Sequence, residues 1–263
     1  MSVFSANPLA LLGRAFVDFL GACGRFGIFA VTATSHVLRP PWHLRQILRQ
    51  FLDIGYYSLP VVGLTTLFAG MVLALQTYTG FARFNAENAI ANVVVLSITR
   101  ELGPVLAGLM VAGRIGAAIA AEIGTMRVTE QIDALTTLST NPYKYLIAPR
   151  LLAGTIMLPL LVFVGDIIGV FGGYVVSVYR LDFNGANYLH TTWDFMQYMD
   201  VVSGLVKAAV FGFIIALMGC YNGFNSRGGA QGVGAATTNA VVSASIMILV
   251  ANYVLTGLFF VGK

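Results

Sequence analysis

The feature that most constrains the fold of this chain is a pair of adjacent charges, Arg100 and Glu101, inside a long apolar stretch. Residues 89–99 on one side and 105–113 on the other carry no charge. A helix through this stretch would take both groups into the hydrocarbon layer of a membrane, at a cost of about 3 kcal/mol for each residue. Charges are kept there when they face protein, water or a polar ligand. The pair therefore indicates either a substrate pathway or structural ion pairing.

The composition indicates an integral membrane protein. Of the 263 residues, 57% are hydrophobic and only 10% are charged, whereas soluble domains carry about 25% charged residues. The mean hydropathy is +0.81. This length leaves room for one membrane domain and none for a sizeable soluble catalytic domain. Because the glycine cluster at 228–234 lacks the lysine of a phosphate-binding loop, any nucleotide chemistry must come from a partner.

Cysteine and histidine usage predicts neither a disulfide framework nor a metal site. Cys23 and Cys220 lie in apolar sequence, and we expect both to be small buried hydrophobic side chains. The three histidines share no ligand spacing: His36, His43 and His190. We therefore expect no metal and no catalytic residue on this chain.

The apolar stretches predict five transmembrane helices, since about 20 apolar residues cross the hydrocarbon core. The second stretch is longer than a bilayer requires, so it must tilt, break or project beyond the bilayer; Gly103-Pro104 is the obvious place for a break. In the third, glycines at 165, 169 and 173 predict a close-packing face. A polar loop with interfacial aromatic residues is expected at 180–200. The predicted spans are residues 54–79, 89–121, 151–179, 201–221 and 238–261.

The N-terminal section is predicted to lie in the membrane interface. Arg14, Asp18 and Arg25 share one face of a helix whose other side is apolar, a pattern typical of interfacial helices; packing on other protein is the alternative. We divide the chain into an interfacial helix with a basic linker at 1–50 and a transmembrane domain at 51–263. Basic residues concentrate at one set of helix ends, which places this section on the cytoplasmic side and the C-terminus across the membrane.

A short amphipathic helix is predicted on the cytoplasmic side between the second and third spans, at about 122–140. Thr129 is the predicted N-cap, with Glu130 and Asp133 in the first turn, where the helix dipole favours acids. Such a helix suits docking into a groove on a soluble partner; a solvated helix resting on the bilayer is the alternative. Its apolar strip recurs at every third residue: Ile132, Leu135 and Leu138.

Several ordered motifs resemble the MlaE/YrbE permease family, the membrane subunits of the ABC transporters associated with MCE proteins. The likeness extends over essentially the whole chain. The motifs are Arg100-Glu101-Leu102-Gly103-Pro104-Val105, Ala112-Gly113-Arg114, the block Ala121-Glu122-Ile123-Gly124-Thr125-Met126-Arg127-Val128-Thr129-Glu130-Gln131, and Pro149-Arg150 at the start of the third span.

The resemblance implies an all-α permease that acts as a homodimer and holds no cofactor of its own. ATP and Mg²⁺ would belong to a cytosolic ABC ATPase that docks on the coupling helix. A STAS-domain subunit would bind the ATPase, and a membrane-anchored MCE protein would form a ring on the periplasmic side. The substrate would be phospholipid, moved between the inner and outer membranes of a Gram-negative envelope to maintain lipid asymmetry. The chain would be a multi-pass inner-membrane protein with a periplasmic C-terminus and no nucleic-acid partner.

The resemblance also suggests which residues act. A lipid cavity at the dimer centre would be lined by Leu73, Phe81, Phe84, Arg100 and Glu101, and contact with the ATPase would involve Arg127, Glu130, Gln131 and Asp133. The planar donor fork of an arginine suits a lipid phosphate, and a carboxylate suits an ethanolamine ammonium. Alternatively, the charged pair only holds the break at Gly103-Pro104 open.

Three other functions remain as alternatives. Some relatives are linked to sterols or other hydrophobic compounds. An intramembrane enzyme would use Glu101 or Asp166, but hydrolysis in a membrane calls for paired groups or a metal, and Asp166 has no companion motif. We expect Asp166 to be a buried hydrogen-bonded group or a cavity wall. An ion channel would call for a filter sequence or rings of acids, and neither pattern is evident.

Overall fold

The computed structural model describes residues 8–37, 39–40, 43–81 and 87–260, and the regular structure within these ranges is helical, as predicted. Three segments are π-helical: Ile98–Leu102, Ala112–Gly116 and Tyr143–Ile147. The α-helices are α1 (Pro8–Val37), α2 (Leu44–Ile54), α3 (Leu59–Phe81), α4 (Glu87–Ser97), α5 (Gly103–Val111), α6 (Ala117–Val128), α7 (Gln131–Thr137), α8 (Ala148–Tyr179), α9 (Gly185–Phe195), α10 (Tyr198–Phe224) and α11 (Gly229–Phe260).

In the described part of the chain, six helical stretches are long and apolar enough to cross a membrane. Each of five stretches contains all or nearly all of one predicted span. The sixth, in α1, was predicted to lie in the interface; its length and composition also suffice for crossing, and its placement stays a prediction. The stretches are Phe16–Val37, Leu44–Phe81, Ile90–Val128, Tyr143–Tyr179, Tyr198–Phe224 and Gly229–Phe260.

The second span does not break at Gly103-Pro104, so that one of the three predicted alternatives is wrong. The chain stays helical from Glu87 to Val128 and accommodates the proline with the π-helical segment Ile98–Leu102. Pro104 lies in the first turn of α5, where a missing N–H costs least. Segments of π-helix are frequent at functional sites, and this one contains both members of the charged pair.

Glycines allow the central helices to pack with their backbones almost in contact, as the spacing in the third span predicted. A Cβ on Gly70 of α3 would overlap the carbonyl oxygen of Gly169 in α8. A Cβ on Gly212 of α10 would likewise overlap the carbonyl oxygen of Gly154 in α8. The helix α8 is thereby held between α3 and α10, and the main core lies around it.

The C-terminal half of α1 packs against the core, while residues 16–20 of the same helix are exposed. Phe29 contacts Tyr143 and Tyr221, with ring centroids 5.6 and 5.4 Å apart. Arg14 and Arg25 are exposed. The basic region after α1 contains the helix α2. The helix α1 therefore packs against protein around Phe29, and its exposed charged residues can face a polar surface.

Two further predictions are wrong in part. The predicted polar loop at 180–200 contains α9, whose Asn184 N-cap accepts hydrogen bonds from the amides of Ala186 and Asn187 at 3.0 and 3.1 Å. Tyr188 packs inward from this helix, which a reading of 180–200 as a surface loop did not anticipate. Cys220 is buried as expected, but Cys23 is exposed on the unpacked face of α1.

Candidate functional site

Glu101 is the centre of a polar cluster built from three helical stretches of the bundle. Its Oε1 accepts hydrogen bonds from Lys207 Nζ at 2.7 Å and from Thr256 Oγ1 at 3.0 Å, and its Oε2 accepts one from Asn252 Nδ2 at 2.9 Å. Lys207 lies on α10, and the two polar residues lie one turn apart on α11. The same ammonium also donates to the carbonyl oxygen of Arg100 at 2.9 Å. These bonds tie the π-helical segment to both neighbouring helices.

Arg100 extends the cluster in a second direction. Its Nε donates a hydrogen bond to Asp200 Oδ1 at 2.7 Å, and its guanidinium lies 4.5 Å from the ring centroid of Phe260. Asp200 also accepts the backbone N–H of Gln197 at 3.0 Å, at the start of α10. Each member of the adjacent pair therefore binds a partner of opposite charge on another helix, and the two do not pair with each other.

The four charges balance, yet two of them remain accessible. The side chains of Lys207 and Asp200 are 0% and 1% exposed, whereas those of Arg100 and Glu101 are 31% and 38% exposed. Two cations and two anions sum to zero, which removes most of the cost of holding charge in an apolar layer. The accessible edge of the cluster therefore consists of one guanidinium, from Arg100, and one carboxylate, from Glu101.

Other charges of the ordered motifs tie helices together nearer α7. Arg114 donates to Ser58 Oγ at 2.7 Å and to the carbonyl oxygen of Asp53 at 3.3 Å, which fixes the junction of α2 and α3. Arg150 is buried in α8 and pairs with Glu122 of α6 at 2.8 Å. These motif positions act as contacts between elements, a role that the linear motif alone did not reveal.

The short helix α7 lies between two of the membrane-length stretches, Ile90–Val128 and Tyr143–Tyr179. Arg127, in the last turn of α6, donates to Asp133 Oδ1 at 2.7 Å and lies 5.8 Å from the ring centroid of Phe224. Gln131 Nε2 donates to Thr129 Oγ1 at 3.1 Å. Glu130 and Asp133 are exposed. Of the predicted coupling residues, two thus pair with each other, and the acids remain available on the surface.

The internal details of this region differ from the prediction. Residues 122–128 continue α6, so the separate helix is only Gln131–Thr137. Glu130, not Thr129, is the N-cap; it has φ 60° and makes no capping hydrogen bond. The Thr129 hydroxyl instead donates back to the carbonyl oxygen of Thr125. Ile132 is 1% exposed and Leu138 is 75% exposed, so the apolar strip fixes α7 to this chain's own core and leaves only its end for a partner.

Comparison with known proteins decides the family. The family model described as "Permease MlaE" matches residues 47–258. The chain belongs to the MlaE permease family. A probable ABC transporter permease protein of Rickettsia felis is 61% identical over 249 residues, which cover 95% of this chain and 96% of the relative.

More distant relatives share the family. The intermembrane phospholipid transport system permease protein MlaE of Haemophilus influenzae is 36% identical over 97% of this chain and 98% of its own length. The chloroplastic protein TRIGALACTOSYLDIACYLGLYCEROL 1 of Arabidopsis thaliana is 38% identical over 89% of this chain and 67% of its own length. As a member of the MlaE permease family, this multi-pass membrane protein is a transport subunit and not an enzyme.

The structure brings only part of the predicted cavity lining together. Arg100 and Glu101 share the polar cluster. Leu73 is half-buried and packs against a small apolar core that includes Ile98, and Phe81 is the last residue of α3, 38% exposed. Phe84 lies outside the described residues. That Leu73 and Phe81 line a lipid cavity stays a prediction.

The residues that sequence reasoning missed are the partners of the charged pair. Asp200 was assigned to a membrane-surface loop, and Asn252 and Thr256 were unremarkable polar residues in an uncharged span. Lys207 is the one charged residue in the predicted fourth span, 201–221, and this is the signal that the sequence offers. A lone cation in one apolar span and an acid in another are candidates for each other, but the predicted spans contain two acids, Glu101 and Asp166, and the sequence does not choose between them.

Proposed function

We propose that this chain is the permease of an ABC transporter that moves phospholipid between the inner and outer membranes of a Gram-negative envelope and so maintains lipid asymmetry. The observation that carries the proposal is the accessible edge of the polar cluster, where Arg100 and Glu101 stand exposed inside an apolar stretch. The Haemophilus relative is named for intermembrane phospholipid transport, which supports phospholipid as the substrate class.

The phosphate would approach Arg100 and an ammonium would approach Glu101. Charge-assisted hydrogen bonds to a guanidinium are among the stronger polar contacts, and the neutral sum of the cluster allows a zwitterion to bind without adding net charge. The acyl chains would lie against apolar walls that Leu73, Phe81 and Phe84 help to form at the centre of a homodimer.

Energy would come from partner chains. A cytosolic ABC ATPase carrying ATP and Mg²⁺ would dock at Glu130, Gln131 and Asp133, with Arg127 holding α7 in place through its ion pair. A STAS-domain subunit would bind that ATPase, and a membrane-anchored MCE protein ring would receive or deliver lipid on the periplasmic side. The exposed acids and the fixed position of α7 support this arrangement.

Transport in the reconstituted complex tests the headgroup role. Glu101→Gln keeps the side-chain volume and removes the charge, and we expect transport of a labelled phospholipid between proteoliposomes to fall at least tenfold while the complex still assembles. The matched control is Asp194→Asn, which removes an exposed carboxylate from α9 and should leave transport unchanged.

A double variant separates binding from structure. Glu101→Gln with Lys207→Met removes both charges of the pair, which restores neutrality. If the pair were only structural, this variant would recover transport, and the headgroup role would be wrong. If Glu101 contacts lipid, the double variant assembles normally and remains inactive.

A further inference from the structure

A cleft separate from the polar cluster opens between α4, α8, α9 and α10. It has a volume of about 390 Å³, within the range of about 300–1,000 Å³ typical of small-molecule sites. Neither Arg100 nor Glu101 lines it. Its walls include Phe163, Ile167, Val170, Leu189, Trp193 and Val201. We call this the α8–α9 cleft.

The cleft has an apolar, exposed rim and a buried polar floor. Trp193, Ile167 and Leu189 are 75%, 56% and 53% exposed, whereas Asp166 on the floor is only 6% exposed. Rims of this kind receive an alkyl chain, and the floor then meets whatever polar group the chain carries. The arrangement fits an amphiphile that enters with its polar end first.

Asp166 has no partner within the described part of the chain. Its buried Oδ1 accepts no hydrogen bond, and no cation forms an ion pair with its carboxylate. Of the two alternatives predicted from the sequence, a buried hydrogen-bonded group or a cavity wall, the structure shows the cavity wall. The two acids of the polar cluster, in contrast, each have a cation: Glu101 pairs with Lys207 and Asp200 with Arg100. A lone buried carboxylate in an apolar layer is costly unless a ligand completes it.

The rest of the floor has no spare hydroxyl proton. Thr99 donates its hydroxyl to the carbonyl oxygen of Val95 at 2.8 Å, and Thr192 donates to that of Tyr188 at 2.8 Å. The floor thus offers acceptors and lacks donors, and its single ionisable group is an acid. A ligand that supplies both hydrogen-bond donors and positive charge satisfies it.

We propose that the α8–α9 cleft binds an amphiphile with a primary ammonium head, which pairs with Asp166 while its alkyl chain lies along the apolar rim. The ammonium belongs to a phosphatidylethanolamine-type headgroup or to a free long-chain amine. The site is independent of the proposed transport function, because it lies outside the polar cluster and is tested by binding alone.

Trp193 supplies the measurement. The chain has two tryptophans, so Trp42→Phe leaves Trp193 as the sole fluorophore at the rim. Full-length protein in nanodiscs is titrated with four spin-labelled C18 quenchers: a primary amine, its trimethylammonium analogue, the alcohol and a methyl ester. We expect saturable quenching by the primary amine at a concentration at least tenfold below that of the other three. Equal quenching by all four, or equal quenching by the alcohol or the trimethylammonium probe, would overturn the proposal.

Two variants test whether Asp166 binds the ammonium, and competing amphiphiles identify the molecule that carries it. Asp166→Asn should abolish the preference for the amine, whereas Asp194→Asn, on the same helix as Trp193, should retain it; the reverse result contradicts the proposal. Because the four probes are first compared with Asp166 intact, that comparison does not depend on the folding of the Asp166→Asn variant. Competition by lysophosphatidylethanolamine but not lysophosphatidylcholine points to a lipid headgroup, and competition by dodecylamine alone points to a free amine.

Discussion

Lys207 donates a hydrogen bond from Nζ to Oε1 of Glu101 across 2.7 Å, with the lysine side chain entirely buried. The two residues lie 106 positions apart in the sequence, and no other cation contacts this carboxylate in the described part of the chain. The bond joins the π-helical segment to α10, and Thr256 of α11 binds both partners. The pair is thus a three-helix junction in the apolar core.

Removing Lys207 should destabilise the protein more than removing the pair. Lys207→Met leaves Glu101 without its cation, and breaking a buried ion pair from one side costs about 3–5 kcal/mol; the partial exposure of Glu101 argues for the lower end. The double variant with Glu101→Gln should recover most of the loss. Thermal unfolding in detergent, analysed as a double-mutant cycle, measures the coupling, and additive losses would show that the pair contributes nothing specific.

Arg100→Lys should not substitute for the natural residue. A lysine can keep the charge opposite Asp200, but it loses the planar guanidinium that contacts this carboxylate and the Phe260 ring together. We expect lower thermal stability and reduced lipid transport. The control is Arg180→Lys, an exposed arginine at the end of α8. Equal behaviour of the two variants would contradict a specific role for the guanidinium.

Gly70→Ala should disrupt the contact between α3 and α8. The added methyl group would overlap the carbonyl oxygen of Gly169, which belongs to the backbone and cannot rotate away. Gly80→Ala is the matched control on the same helix, because a Cβ there meets nothing within 4 Å. We expect a large loss of folded protein in size-exclusion chromatography for the first variant only. Similar yields for both would show that the helices separate at little cost.

Reversing the acids at α7 should detach the ATPase. Glu130→Lys with Asp133→Lys changes the sign of the exposed surface and also removes the ion pair to Arg127. In a detergent pull-down of the complex, we expect the ATPase to be lost while the permease remains folded. Asp194→Lys on α9 is the control for a general effect of added charge. Retention of the ATPase by the α7 variant would refute the docking assignment.

The short-range part of the fold was predictable from the sequence. The apolar stretches predicted five of the six membrane-length helices, and the glycines at 165, 169 and 173 predicted a close-packing face, which in the structure contacts α3. These features depend on residues near each other in the chain. The errors arose where contacts with residues far away in the sequence determine the local structure or its burial. The segment of α9 is helical although its composition resembles a loop, and Ile132 is buried in the core of its own chain.

The candidate site was predictable only in one half. Arg100 and Glu101 were identifiable because two charges inside an apolar stretch are costly wherever the chain goes. Their partners were not, since Lys207, Asp200 and Asn252 lie on other helices, and helical periodicity does not specify which faces meet. The unpartnered state of Asp166 was equally hidden, because it results from what the neighbouring helices lack.

The sequence by itself determined the helical class, the membrane location and membership of the MlaE permease family, because hydropathy and ordered motifs are local properties of the chain. Only the tertiary structure decided that Glu101 binds Lys207, that Arg100 binds Asp200 and that Asp166 faces a cleft. The physical reason is that pairing in an apolar layer depends on how helices rotate and cross, and these are set by the packing of small residues far apart in the chain.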